Sequence, residues 1–394
     1  MRVLYISYVN ILSTGGAPIE ARKICSALQT AKYRIPDFDF RVVSLDGNLP
    51  ESLQNVQLVY QKKDAIISRL LWHSYYMYCF WKREKEKILN YKPDVVILGR
   101  SNLGFIARDI KLSHPDVIVI TDVDNIEVDY INAWDGSKAK LLHKLSHFQL
   151  VMSTRRDEKD CIAFSDWCLF LTNRNYHRAK ELYRYKSANF TVLPICIQAP
   201  KEVLHIKDKR SVAFYGTLDY EPNHRAAMEF ISKVWIPHFL SDSNVQLIIA
   251  GKNPRDELVE LIKGLSNVKV FSGFRSLPDI LPMETIAIAP LQSGAGMKTK
   301  IAEALSYGMA VIGSDEAWVG YEAIEEAAGV WHANSAEEYV ELIGQFFNMS
   351  TSELRKIQKK NRELYQKNYS LDVSNKVIID LLLSKLRSRW LPLR

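Results

Sequence analysis

The apolar residues of this chain fall in short β-branched runs separated by stretches with helical spacing. "RVLYISYV" at the start is followed by Gly15-Gly16 and a helical "APIEARKICSALQ". "FRVVSLD", "VQLVYQ", "DVVILGR", "VIVITDV", "DWCLFLT" and "FTVLPI" continue the first series. A second begins at "SVAFYG" and runs through "VQLIIAG", "VKVFSG", "TIAIAPL", "AVIGS" and "GVWHA". These runs lack apolar–polar alternation, as strands buried on both faces do. Strands alternating with helices predict parallel sheets. The proline- and charge-mixed "PICIQAPKEVLHIKDKR" between the series reads as a linker. The expected class is therefore α/β, with two Rossmann-like doubly wound domains facing across a cleft. An N-terminal domain spans 1–200 and a C-terminal domain 201–375. A last helix, 376–394, returns to the first domain.

Composition narrows the class. The chain has 394 residues, 47% of them hydrophobic, which is enough for two cores and argues against wholesale disorder. Its five cysteines form no CxxC pair and their number is odd, so a disulfide framework or metal cluster is a poor reading and a reducing cytoplasm a better one. The opening "MRVLYISYVNIL" superficially resembles a signal peptide, but Ser7, Tyr8 and Asn10 interrupt it and it runs straight into a loop-helix pattern. No run approaches a membrane span. The net charge of +7 lies wholly in residues 1–200, with 28 Lys and Arg against 21 Asp and Glu; the remainder balances at 24 and 24. A basic half suits an anionic partner. No nucleic-acid motif accompanies the charge. An anionic membrane surface fits better, since "ISRLLWHSYYMYCFWKREKEKIL" (66–88) mixes aromatics with cations. The competing reading of that stretch is an aromatic-rich helix inside the first domain.

Ligands of doubly wound sheets bind beyond the carboxyl ends of the strands. There the sequence places Gly15-Gly16, Gly216, Gly251, Gly273 and the stretch "GAGMKTKIAEALSYG" (294–308). Gly294 and Gly296 permit close backbone approach, and a helix from about Met297 aims N–H groups at an anion. Lys298 and Lys300 add charge. Glu303 cannot bind phosphate, but it can accept hydrogen bonds from a ribose diol, so together these residues suggest a nucleotide. Neither a Walker A motif nor GxGxxG is present. "TDVDNIEVDY" (121–130) carries four carboxylates after a strand. Asp122, Asp124 or Glu127 is expected to orient the acceptor or the sugar. Asp122-Val-Asp124 as a metal-binding DxD, and simple loop capping, are the alternatives.

The segment "IAPLQSGAGMKTKIAEALSYGMAVIGSDEAWVGYE" resembles the donor-site signature of GT-B glycosyltransferases, particularly glycosyltransferase family 4 and its relatives. "FYGTLDYEPNHRAAMEF" is similar to a G-x-x-x-Y-x-P-N element in one branch of that group. The resemblance is strong over about 210–325 and looser elsewhere. It implies a nucleoside-diphosphate sugar as donor, with Glu303 on the ribose. Lys298, Lys300 and the backbone of Gly294, Ala295, Gly296 and Met297 would hold the diphosphate or sugar. Phe274 and Arg275 would lie near the base, Gly216 and Thr217 beside the donor, and Gly16 at the diphosphate. Asp122, Asp124, Lys298 and Lys300 are the candidate catalytic residues; by the same resemblance configuration is retained, and no metal or other cofactor is needed. The acceptor would be a glycan or lipid-linked molecule in polysaccharide synthesis, and the location cytoplasmic, peripheral at the inner face of the plasma membrane. Two departures stand out. Ala295 occupies the place of a second glutamate, and Thr217 follows Gly216 where many members have arginine. They leave two rivals, a catalytically silent chaperone or scaffold and a nucleotide-sugar epimerase of the same fold.

Overall fold

The computed structural model describes residues 1–13, 15–45, 49–53, 55–57, 62–74, 77–132, 141–184, 189–200, 210–274, 276–294, 296–324 and 327–390. All thirteen apolar runs are strands. In the first series they are β1 (Arg2–Ile6), β2 (Asp39–Ser44), β3 (Asn55–Gln57), β4 (Val95–Leu98), β5 (Ile118–Val123), β6 (Trp167–Phe170) and β7 (Phe190–Val192). The second series contains β8 (Arg210–Tyr215), β9 (Val245–Ala250), β10 (Val268–Phe271), β11 (Thr285–Ala289), β12 (Ala310–Gly313) and β13 (Val330–His332). The sheet orders are β3-β2-β1-β4-β5-β6-β7 and β10-β9-β8-β11-β12-β13, with every pairing parallel. Each order reverses direction once, between β1 and β4 and between β8 and β11. Those reversals are where a doubly wound sheet leaves a ligand crevice.

Two units result, Met1–Cys196 with Leu371–Arg394, and Ile197–Ser370. In the first unit the continuous apolar strands serve two cores. Val3 and Tyr5 of β1 and Val95 and Ile97 of β4 face one core, beside Ile24 and Leu28 of the helix Gly16–Arg34. Ile378, Ile379 and Leu382 of the helix Leu371–Trp390 join that core. Leu4, Ile6, Val96 and Leu98 face the opposite core, under the helices Met77–Leu89 and Gly104–Ser113. The start of the chain is thus a strand in the interior of a sheet, which is why it is apolar. In the second unit Val212, Phe214, Leu247, Ile249, Ile286 and Ile288 bury one face. The final helix gains most of its stability from this packing rather than from intrinsic propensity. The linker residues 201–209 lie outside the described residues.

Candidate active site

In the second unit, the loop after β11 leads into the helix Thr299–Tyr307, and Lys298 is its N-cap. Gly294 has φ 143° and Gly296 φ 64°, conformations that side chains disfavour, so the two glycines shape the loop. Two buried tyrosines fix the helix start. Tyr321 donates its hydroxyl to Lys298 O (3.0 Å) and accepts from Ala302 N–H (3.1 Å); Tyr215 at the end of β8 donates to Lys300 O (2.7 Å). Among the described residues, the N-cap Lys298 side chain makes no capping hydrogen bond to this helix, which leaves part of its N–H array to an anion.

The two lysines have different surroundings. The Lys298 ammonium turns back onto its own loop, donating to Gly296 O (2.8 Å) and Gly294 O (3.3 Å), and pairs with Glu316 at 3.1 Å. Its charge is shared with a carboxylate, and it shapes the loop. The Lys300 ammonium lies 4.2 Å from the Phe214 ring centroid and donates to Asn223 Oδ1 at 2.9 Å. Desolvation and the neighbouring Lys298 pull the Lys300 pKa down to about 7, against the attraction of Glu303. Burial pushes the Glu303 carboxyl up to about 7, opposed by Lys300. A cation and a carboxylate thus share one helix face, each poised near neutrality, as residues prepared for a charged ligand are.

Asn223, absent from the sequence-based candidates, completes the cluster. It lies in the first turn of the helix Glu221–Phe230 and also donates to Thr217 O at 3.0 Å, bridging the loop after β8 to Lys300. The "YEPN" element was its sequence signal, but a contact with a lysine 77 positions on is not readable from one sequence. Gly216, at φ 149°, lies under this bridge; a Cβ there would stand 3.0 Å from Asn223 Nδ2 and 3.4 Å from Lys300 Nζ. Gly216→Ala is therefore expected to crowd Asn223, strain the backbone and cost about 1–3 kcal/mol of stability. Chemical denaturation of the variant checks the cost; an unchanged midpoint would contradict the crowding. Thr217 is exposed, Met297 buried and Phe274 half-buried after β10. Arg275 and Ala295 lie outside the described residues.

The candidates of the first unit surround the carboxyl ends of β1, β4 and β5. Gly16 is the exposed first residue of the helix Gly16–Arg34, whose N-cap Gly15 has φ 123°. Arg22 of that helix holds the preceding loop by donating to Ile11 O (2.6 Å) and Ser13 O (2.8 Å). The next residue, the fully buried Lys23, pairs with Glu20 and lies 3.7 Å from Asp122. Arg100, just after β4, spans Asp124 (3.1 Å) and Glu127 (3.0 Å) and covers the Tyr8 ring. Burial raises the carboxyls of Glu20 and Glu127 to about 7 and that of Asp122 to about 6. Glu158 accepts from Ser101 Oγ (2.6 Å) and Glu127 N–H (2.8 Å), locking the loop behind. Asp122, Asp124 and Glu127 are thus each clamped by a cation of their own unit. Asp124 Oδ1 stays buried without a hydrogen-bond partner among the described residues. No group of three or more His, Cys, Asp or Glu side chains among those residues is arranged to hold a metal ion.

The stretch 66–88 divides in two. Met77, Phe80, Trp81 and Ile88 are core residues of the helix Met77–Leu89, whereas Leu70, Leu71 and Trp72 at the end of the helix Lys62–Leu70 are exposed. Among the described residues, no helix is long and apolar enough to cross a membrane.

The two doubly wound units match solved structures of the GT-B fold. Sucrose-phosphate synthase from Thermosynechococcus elongatus superposes with a TM-score of 0.69 at 14% identity, over 98% of this chain and 99% of that one. HepE from Anabaena, solved with UDP and glucose, gives 0.66 at 12% identity over 98% and 100%. WaaG, described as a glycosyltransferase involved in lipopolysaccharide biosynthesis, gives 0.63 at 14% over 96% and 99%. At such identities the likeness establishes the fold. No curated protein matches the sequence. Residues 209–348 match the family described as "Glycosyl transferases group 1", a segment holding Gly216, Asn223, Lys298, Lys300 and Glu303. The fold is therefore GT-B, and within it the segment 209–348 is similar to the group 1 glycosyltransferases.

Proposed function

We propose that this enzyme moves a sugar from a nucleoside-diphosphate sugar to a hydroxyl of a glycan or lipid-linked acceptor in the synthesis of a cell-surface polysaccharide. The observation that carries the reading is the cluster of Lys300, Asn223, Gly216 and Glu303 at the crevice of β8 and β11. Lys300 and the N–H groups of the Thr299–Tyr307 helix face the diphosphate; Glu303 accepts from the ribose hydroxyls. The bond from the sugar's anomeric carbon to the phosphate oxygen breaks through an oxocarbenium-like transition state. Its electron pair leaves on the diphosphate, where fixed cations and N–H donors stabilise it. The acceptor oxygen bonds to the same carbon and its proton passes to the departing phosphate, so configuration is retained without a protein nucleophile or a metal. Asp122 and Asp124 orient the sugar or acceptor, a role suited to the unpartnered Oδ1 of Asp124. The reaction belongs in the cytoplasm at the inner membrane face, which agrees with five scattered cysteines that form no CxxC pair.

Ala295, in place of a second glutamate, favours one competing reading, a silent relative that acts as a scaffold. Nucleotide release separates the two. Incubated with UDP-, GDP-, ADP- and dTDP-sugars, the wild-type protein is expected to melt higher with one base and to release its nucleotide when acceptor is supplied. Glu303→Ala should weaken that donor about ten- to a hundredfold, the worth of a charged hydrogen bond. If none of the four raises the melting temperature, the donor reading is wrong; stabilisation without turnover by any acceptor preparation supports the scaffold.

A further inference from the structure

The end of the helix Lys62–Leu70 has an unusual turn. His73 N–H bonds to Ser68 O at 2.8 Å and Trp72 N–H to Arg69 O at 2.9 Å, the paired bonds of a Schellman motif. The left-handed position of that motif normally takes glycine, but here Trp72 occupies it at φ 59°. The turn is held firmly from below. His73 Nδ1 lies 3.0 Å from the buried Asp157 Oδ1 and its ring stacks on Tyr78 at 3.8 Å. Ser74 gives both N–H (2.8 Å) and Oγ–H (3.0 Å) to Asp157 Oδ2. A bulky residue in a strained, pinned conformation is then pointed outward: Trp72 is 47% exposed and Leu70 71%.

The helix Leu141–Ala163 lies alongside, because Gln149 Nε2 donates to Arg69 O at 2.6 Å. Flanking Gln149, Leu145, Phe148 and Met152 share one helical face and are exposed, Phe148 by 60%. Two segments far apart in sequence thus present one apolar surface. Its charges have a single sign. Within 63–74 and 143–156 the exposed charged residues are Lys63, Arg69, Lys144, Arg155 and Arg156. The carboxylates beside it, Asp64 and Asp157, are buried and pair with Arg83 at 3.6 Å and Arg156 at 3.5 Å.

We infer that this surface docks on an anionic lipid bilayer, with Trp72, Leu70 and Phe148 at headgroup depth and the lysines and arginines on lipid phosphates. Aromatic and aliphatic side chains rimmed by cations are what an anionic interface accommodates. A second copy of this chain would instead set five cations against five, a like-charge contact. The inference extends the proposed location of the enzyme but uses residues remote from the donor cluster, so either can fail without the other.

Co-sedimentation of the full chain tests it, using vesicles of phosphatidylcholine with and without phosphatidylglycerol. The wild-type protein is expected to bind the anionic vesicles and to release as ionic strength rises from about 0.1 M to about 0.5 M. Trp72→Gly should lose at least about tenfold in partitioning. Glycine is the residue the turn favours, so its melting temperature should be no lower. Phe148→Ser should lose a similar factor, and both variants should keep the wild-type thermal shift with nucleotide sugar. Absence of wild-type binding to anionic vesicles would overturn the inference. So would full binding by both variants. A concentration-dependent dimer dissolved by Trp72→Gly would assign the surface to a second copy, and would overturn it too.

Discussion

Lys300→Ala is expected to lower kcat/KM for the nucleotide-sugar donor about a thousandfold, the usual loss when a preorganised charge stabiliser is removed. The fold should survive. The pKa of Lys300 is pulled down to about 7 in the folded state, so the protein disfavours its charged form and removal relieves that cost. Lys298→Ala should behave differently. Its ammonium ties Gly294 O, Gly296 O and Glu316 together, so truncation should loosen the loop and raise KM more than it lowers kcat. Steady-state kinetics on both variants decides. A kcat collapse in Lys298→Ala beside near-normal turnover in Lys300→Ala would reverse the roles assigned here.

Lys300 and Glu303 set a pH signature. Above about pH 7 the unliganded protein holds Lys300 increasingly neutral, whereas bound diphosphate favours the ammonium. Binding then takes up a proton, and affinity falls as pH rises, by up to about tenfold per unit. Below about pH 7 Glu303 is increasingly protonated, whereas the ribose hydroxyls favour the carboxylate, so binding releases a proton and affinity falls again. Donor affinity is therefore expected to peak near neutrality. Calorimetry in buffers of different ionisation enthalpy measures both the affinity and the protons exchanged. A flat affinity with no exchanged protons between about pH 6 and about pH 8.5 would contradict the assignment.

The strands were legible because both faces of each sheet are covered, which forces uninterrupted apolar runs such as "VIVITDV". The helix carrying Lys300 and Glu303 was legible because its glycines, cations and carboxylate are close in sequence. Contacts between distant segments were not. Nothing local shows that Asn223 reaches Lys300, or that Glu316 takes up the charge of Lys298. Glu20 and Lys23, three apart on a helix, carry no local sign of burial. Burial under the carboxyl ends of β1 and β5 makes them part of the Asp122 environment. The segment 66–88 combined two environments in one composition, since the same aromatics serve a core in Met77–Leu89 and a surface at Trp72.

That buried pair yields the largest expected effect on stability. Lys23 is the cation that compensates Glu20 and Asp122, and all three are buried. Lys23→Met keeps the volume but strands two carboxyl groups, which should cost about 3–5 kcal/mol near pH 8. On a unit of this size the loss corresponds to roughly 10 °C in the melting temperature. The cost should depend on pH with a definite sign. Folding already raises Glu20 to about 7 and Asp122 to about 6. A raised carboxyl contributes stability that is fully present below its unfolded pKa and is lost as pH climbs through the folded value. Lys23 opposes both shifts, so without it the two pKa values climb further and the loss deepens toward alkaline pH. In acid both groups are neutral in either protein, and the penalty should shrink. Adding Glu20→Gln and Asp122→Asn to Lys23→Met should recover most of the loss, because the stranded charges are gone. Thermal unfolding of the full chain across about pH 5 to 8 provides the check. A penalty that is the same at every pH would mean that Lys23 acts through packing alone, and that the Asp122 carboxylate is not held in place by its charge.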